Sequence, residues 1–192
     1  MSKQQIGPQR ISTNLQNARE LSEKYNLAAV TAVIYFKDGA DKLLLTKRSN
    51  SLELHPGEIS LPGGRKDKDD FDLRDTALRE LEEEVGIHRD QVEIVGELGF
   101  FVTNSNFKIF AFIAKAKSEL EFVINYEEVS RIIELPLSAL MHEECMRDDL
   151  WMVNGEMKYK PSFGYKGHLI FGATARILDC LVQTLPDKSY NL

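Results

Sequence analysis

LPGGRKDKDDFDLRDTALRELEEEVGI, running from Leu61 to Ile87, takes the chain through a glycine turn and an acidic loop into a glutamate-rich segment, and the fold is decided by its reading. On a helix turning about 100° per residue, Glu80, Glu83 and Glu84 fall within roughly 100° of one another, whereas Leu78, Leu81 and Val85 gather on a different side. Carboxylates at i, i+3 and i+4 repel one another, by a few tenths of a kcal/mol per exposed pair, and Arg74 and Arg79 offset only part of that. A divalent cation converts the penalty into binding, because hard ions such as Mg²⁺ take carboxylate oxygens together with water and substrate phosphate. Pro62-Gly63-Gly64 permits a tight turn with positive φ, which allows a main-chain carbonyl to face the acidic side. Gly86 reads as a helix-ending glycine.

The run Arg79-Glu80-Leu81-Glu82-Glu83-Glu84-Val85-Gly86-Ile87 fills every defined place of R-E-U-x-E-E-x-G-U, where U is aliphatic. Together with the preceding Gly-Gly it resembles the Nudix box. That resemblance implies hydrolysis of a nucleoside diphosphate linked to another group, with Mg²⁺ or Mn²⁺ held on the box helix. By position it makes Glu83, Glu84 and the Gly63 carbonyl metal ligands. Glu80 becomes a ligand or general base, oriented by Arg79.

The box does not stand alone. Leu44-Leu45-Thr46-Lys47-Arg48-Ser49, then Gly57 eight residues later, then Pro62-Gly63-Gly64, is similar to the added signature of the coenzyme A diphosphatase branch of that family. The loop bearing Asp67, Asp70 and Asp72 is one residue longer than the general pattern and fits the same branch. Weaker matches follow at Asn125–Val129, Glu134–Leu137 and Phe171–Leu178. Two positions depart from the signature: Glu53 stands where the branch has a basic residue, and Leu61 where it has an aromatic one. Since arginine gives bidentate charge-assisted bonds to phosphate and glutamate gives none, Lys47, Arg48 and Arg65 are the remaining candidate phosphate partners.

Composition bounds the rest. The 192 residues, 43% of them hydrophobic, suffice for one domain and a full core. A net charge of −6 argues against a broad nucleic-acid footprint. Cys145 and Cys180 have no disulfide or metal spacing, and no histidine pair has zinc spacing; His55, in the signature loop, is the one histidine singled out for testing. No apolar run reaches the roughly 20 residues needed to span a bilayer, and MSKQQIGPQR lacks a signal-peptide core, so the expected location is cytoplasmic, with no membrane partner.

In chain order, the reading assigns residues 1–26 to an extension with a helix over Thr13–Tyr25, 27–185 to the Nudix-like domain, and 186–192 to a tail. Leu27–Phe36 and Lys42–Lys47 form a hairpin across a Lys37–Asp41 turn, and Gln91–Val102 pairs with Phe107–Ala116. Glu127 and Glu128 are placed at the start of a helix, where carboxylates favour the dipole; Glu128 is also a candidate to complete the metal site or activate water. Asn154-Gly155 marks a second hairpin. Its aromatic series Trp151, Tyr159, Phe163 and Tyr165 is read as packing first and as a nucleotide or pantetheine pocket second. Phe171–Leu185 is a closing helix. The expected class is α+β, a Nudix-type α/β/α sandwich with a mixed sheet.

The resulting functional reading is metal-assisted hydrolysis of coenzyme A or its derivatives to 3′,5′-ADP and (acyl-)4′-phosphopantetheine. Glu80 or Glu128 serves as base, Arg79 as its orienter, and a nucleotide-like small molecule and a second copy of the chain are the partners considered. ADP-ribose or a dinucleotide is the alternative substrate, and a non-catalytic nucleotide-binding regulatory domain is the alternative of a different class.

Overall fold

A computed structural model describes residues 24–153 and 155–185. The expected Thr13–Tyr25 helix, except its last two positions, and the 186–192 tail lie outside the described residues. Strand β1 (Asn26–Lys37) and β2 (Ala40–Arg48) form the expected hairpin, Ile34 opposite Leu43 and Lys37 opposite Ala40. The strands β5 (Val92–Val102) and β6 (Phe107–Ala116) pair antiparallel, and β6 runs parallel to β1, so the sheet is mixed.

Beyond their turn, β1 and β2 splay apart, and the chain from Ile59 to Arg65 fills the wedge. Its first part, β3 (Ile59–Ser60), pairs with the end of β2; its second, β4 (Gly63–Arg65), pairs with the start of β1. The Pro62 carbonyl between them accepts the Thr31 amide at 2.9 Å. A proline suits that position because the ladder asks it for an acceptor alone.

The two longest helices among the described residues lie on opposite faces of the sheet. Helix α1 (Leu73–Val85) is the predicted glutamate helix. Asp72 caps its start, accepting from the amides of Arg74 and Asp75, and Gly86 ends it with φ 72° and its amide on the Glu82 carbonyl. Leu81 and Val85 pack with Val33, Tyr35 and Leu44, and Ala77 packs with Ala29. On the other face Leu43, Leu45 and Ala32 meet Ile177, Leu178 and Leu181 of α3 (Gly172–Thr184). The alternation of Leu43, Leu44 and Leu45 between the two cores is the period-2 signature of a strand buried on both sides. A small antiparallel sheet of β8 (Met146–Val153), β9 (Glu156–Tyr165) and β10 (His168–Ile170) packs beside α3, and Phe163 and Ile170 join the same core. This is the expected α/β/α arrangement.

One reading needs correction. Glu127 and Glu128 begin no helix: residues 126–128 form a turn leading into β7 (Val129–Pro136), which pairs with β2. Along β7, Val129, Ile133 and Leu135 are buried while Ser130 and Arg131 are exposed, so the sheet edge offered by β2 outweighed the dipole argument. The four-residue α2 (Leu137–Leu140) follows only afterwards. Within the aromatic series Phe163 is buried in the core and Tyr159 is 69% exposed, which agrees with packing as the first reading of that series.

The wedge and the helix end are sterically tight. A Cβ on Gly86 would lie 2.6 Å from Val123 Cβ, in a backbone conformation unfavourable to L-residues. Gly86→Ala is therefore expected to lower stability by about 2–4 kcal/mol, read as a fall in the urea midpoint at unchanged m-value.

Candidate metal and hydrolytic site

Helix α1 ends with bare carbonyls, and the way they are satisfied builds the site. The amides of Val123 and Asn125 donate to the Val85 and Glu84 carbonyls at 2.9 and 3.0 Å. Asn125 then accepts from the Glu128 and Val129 amides and places its side-chain nitrogen 3.4 Å from Glu128 Oε1. This segment brings Glu128 back to the helix. Carboxylate oxygens of Glu80, Glu84 and Glu128 lie within 4.8 Å of one another.

Glu83, predicted as a ligand, is not in that group. It is 53% exposed, and its Oε2 accepts from Arg79 Nη1 at 2.7 Å. Arg79 uses all five of its N–H donors. Nε and Nη2 grip Asp70 at 2.8 and 3.0 Å, Nη2 also reaches the Arg65 carbonyl at 3.1 Å, and Nη1 bonds Glu80 at 2.9 Å as well as Glu83. Asp70, nearly buried, also accepts from the Thr76 hydroxyl and the Asp67 amide. The Arg79 bonds come first in holding its carboxyl well below the usual range, and those bonds in turn raise Arg79. Asp70 carried no role in the sequence reading; its place nine residues before Arg79 in the acidic loop is the signal for it.

Glu84 is 2% exposed. Burial first, then the charges of Glu80 and Glu128, push its carboxyl up to about 8, against the partial relief of Arg48 and the Gly63 amide. Burial likewise raises Glu80, with Arg79 opposing it. Glu84 Oε2 is buried without a hydrogen-bond partner among the described residues. An orphaned carboxyl oxygen that a bound cation would ionise, beside two further carboxylates, fits a hard divalent cation. The glycines permit this crowding. A Cβ on Gly64 would lie 2.6 Å from the Glu80 carboxylate, and one on Gly63 would strike the Ala29 carbonyl at 2.2 Å.

The signature residues surround this corner. The Ser49 amide donates to the Glu128 carbonyl at 2.7 Å, and the Ser51 hydroxyl reaches the Glu127 carbonyl. Arg48 acts on Glu84, whereas Lys47, one residue back, acts on His168 across the sheet. Arg65 is exposed at the end of β4. His55, at φ 57°, bonds Glu58. Leu61 is a core residue at 1% exposure, so its difference from the branch signature is a packing difference; Glu53 is exposed.

The description of the Nudix domain matches residues 26–156, which span β1 through the β8–β9 turn and include the whole carboxylate corner. The chain belongs to the Nudix family. This Nudix chain is 35% identical over 160 residues to Nudix hydrolase 15, mitochondrial, of Arabidopsis thaliana, covering 79% of itself but 55% of that protein. It is 33% identical over 165 residues to the uncharacterized Nudix hydrolase NudL of Photorhabdus laumondii, covering 86% of itself and 88% of the relative. Among solved structures, a MutT/nudix family protein from Enterococcus faecalis aligns at TM-score 0.55 and 13% identity over 88% of this chain and 68% of that one. A C. elegans Ap4A hydrolase in a binary complex aligns at 0.50 and 20% identity over 58% and 80%; both show the fold. No helix among the described residues is long and apolar enough to cross a membrane.

Glu84 binds its proton more tightly folded than unfolded. Its stabilising contribution is thus complete below its ordinary value of 4.5 and is lost as pH rises through about 8. In chelator, Glu84→Gln should gain melting temperature relative to wild type by roughly 5–10 °C between about pH 5 and about pH 8. Adding Mg²⁺ or Mn²⁺ should reverse that gain, because the charged carboxylate holds a hard cation more strongly than the neutral amide oxygen that replaces it. A difference independent of pH and of metal would refute the assignment.

Proposed function

We propose that this Nudix chain hydrolyses the diphosphate linkage of coenzyme A or its derivatives, giving 3′,5′-ADP and 4′-phosphopantetheine or its acyl form. The observation that carries the hydrolytic reading is the meeting of Glu80, Glu84 and Glu128 around a buried carboxylate oxygen with no partner of its own. The coenzyme A reading is supported by the signature from Leu44 to Gly64 and by the bonds that fasten its loop to the Glu128 turn.

Glu80, Glu84 and Glu128 would hold one or more Mg²⁺ or Mn²⁺ ions, with the Gly63 carbonyl and Glu83 as further oxygens. When bound, such an ion supplies positive charge for the phosphate oxygens and acidifies water. Water adds to one phosphorus, the bridging P–O bond on that phosphorus breaks, and the water proton passes to Glu80 or Glu128. Glu80 is suited to this because burial raises its proton affinity. Arg79 has no free donor for substrate and acts as a positioning residue, fixing Glu80 and Glu83 against Asp70. Lys47, Arg48 and Arg65 are the cations for the remaining phosphate charge.

One observation favours a second reading, in which ADP-ribose or a dinucleotide is cleaved. Glu53 is exposed on the loop where the branch has a basic residue, and an anion there weakens attraction for a substrate with several phosphates. A substrate panel with Mg²⁺ or Mn²⁺ separates the readings. Coenzyme A should give 3′,5′-ADP with the higher kcat/KM, and equal or better turnover of ADP-ribose would overturn that substrate. Glu84→Gln should lower kcat by at least ~10²-fold without unfolding the chain. Nucleotide binding without product, unaltered by this substitution, would establish a regulatory domain instead.

A further inference from the structure

The three carboxylates of the corner are not held alike. Glu84 is buried, and Glu80 is fixed by the Arg79 guanidinium at 2.9 Å. Glu128 is half-buried at the end of a turn whose other members, Tyr126 and Glu127, are exposed, and among the described residues no ion pair reaches it. Repulsion by Glu80 and Glu84 and the rotamer freedom of a glutamate both favour swinging its carboxylate out into water. Its inward position needs a holder.

Among the described residues, Asn125 alone gives the Glu128 side chain a hydrogen bond, Nδ2 to Oε1 at 3.4 Å. Asn125 Oδ1 accepts from the Glu127 amide at 3.2 Å, its carbonyl accepts from the Glu128 and Val129 amides at 3.1 and 2.8 Å, and its own amide donates to the Glu84 carbonyl at 3.0 Å. One residue is thus bonded to the main chain at Glu84 and to the side chain of Glu128, and the separation of those two acids is set through it. The residue type carries information of its own. The turn asks only for an acceptor at the Glu127 amide, which asparagine, aspartate and serine can each supply; asparagine alone of the three offers that acceptor and a donor on separate atoms. A lysine or arginine would hold Glu128 harder but would also neutralise it. An amide holds the carboxylate, engages one of its two oxygens and leaves its charge for a cation.

We propose that Asn125 is a positioning residue of the hydrolytic site, its side-chain amide holding the Glu128 carboxylate beside Glu80 and Glu84 in register for a divalent cation. This rests on the reading of the corner as a metal-dependent hydrolytic site. It adds to that reading a residue that acts through Glu128.

Asn125→Ser keeps a hydroxyl to accept from the Glu127 amide and removes the reach to Glu128. Titration with Mn²⁺ in the absence of substrate, followed by the electron paramagnetic resonance signal of the free ion, should show binding about tenfold weaker in this variant than in the intact chain. Glu128→Ala should weaken Mn²⁺ as well, and adding Asn125→Ser to it should change the affinity by less than about twofold, because the two substitutions act on one ligand. On coenzyme A or ADP-ribose with Mg²⁺, kcat should fall by about tenfold in Asn125→Ser while KM stays within about twofold. A lower melting temperature with unaltered Mn²⁺ affinity would make Asn125 a turn former and overturn the proposal, as would an equal loss of affinity in the Glu128→Ala background. Should Asn125→Ser not fold, Asn125→Asp keeps the size and the turn acceptor, lacks the donor, and should show the same loss of kcat and the same dependence on Glu128; the kcat of the intact chain in that variant overturns the proposal equally. Turnover of neither substrate, with the Mn²⁺ losses as expected, removes the hydrolase reading and leaves Asn125 in its role. Ready turnover with Mn²⁺ affinity indifferent to residue 125 does the reverse.

Discussion

Three carboxylates confined to one buried corner repel, and most of what surrounds them limits that repulsion. Two unit charges about 4 Å apart interact by about 4 kcal/mol near a protein surface, so Glu80, Glu84 and Glu128 are costly together without positive charge. The chain meets this in three ways. Glu84 takes up a proton well above the ordinary carboxylate range, Arg48 and the Gly63 amide lie toward it, and Arg79 ties Glu80 to Asp70. None of these offers the Glu84 Oε2 atom a partner. The corner's repulsion is thus only partly relieved by the protein's own groups.

Rigidity at the two ends of α1 makes this arrangement possible. The helix is capped at Asp72 and stopped at Gly86, and its last carbonyls are closed by the amides of Val123 and Asn125. Those bonds complete the helix and deliver Glu128. At the other side the β3–β4 wedge fixes Gly63 and Gly64 against β1, with no space for side chains between the backbone and Glu80. Small residues are needed here for close approach as much as for conformational freedom.

The parts legible in the sequence were those with a strong local pattern. The apolar runs of β1 and β2, the i, i+4 placement of Leu81 and Val85 on one side of a helix, and the Gly86 stop each follow from local pattern alone. Two parts were legible only in outline. Glu128 was named through the family resemblance, but it sits 44 residues from Glu84 in the chain, and its approach depends on helix-end carbonyls capturing a loop, where the dipole argument instead pointed to a helix start. The Arg79 clamp was also hidden, because a guanidinium's partners are chosen by the folded loop, and Asp70 looked no different from Asp67 or Asp72. Glu83 shows the converse: helical spacing put it on the acidic face, but Arg79 draws it away from the other carboxylates.

The irregularity at the end of β2, where Lys47 faces Arg131 but Arg48 faces Val129, leaves Ser130 as the unmatched residue, fastened by its hydroxyl to the carbonyls of both. A kink of this kind redirects successive side chains. It sends two neighbouring cations to opposite faces of the sheet, Arg48 toward Glu84 on the α1 side and Lys47 toward His168 on the α3 side. A substitution at either position therefore alters the charge on one flank of the sheet and leaves the other flank as it stands.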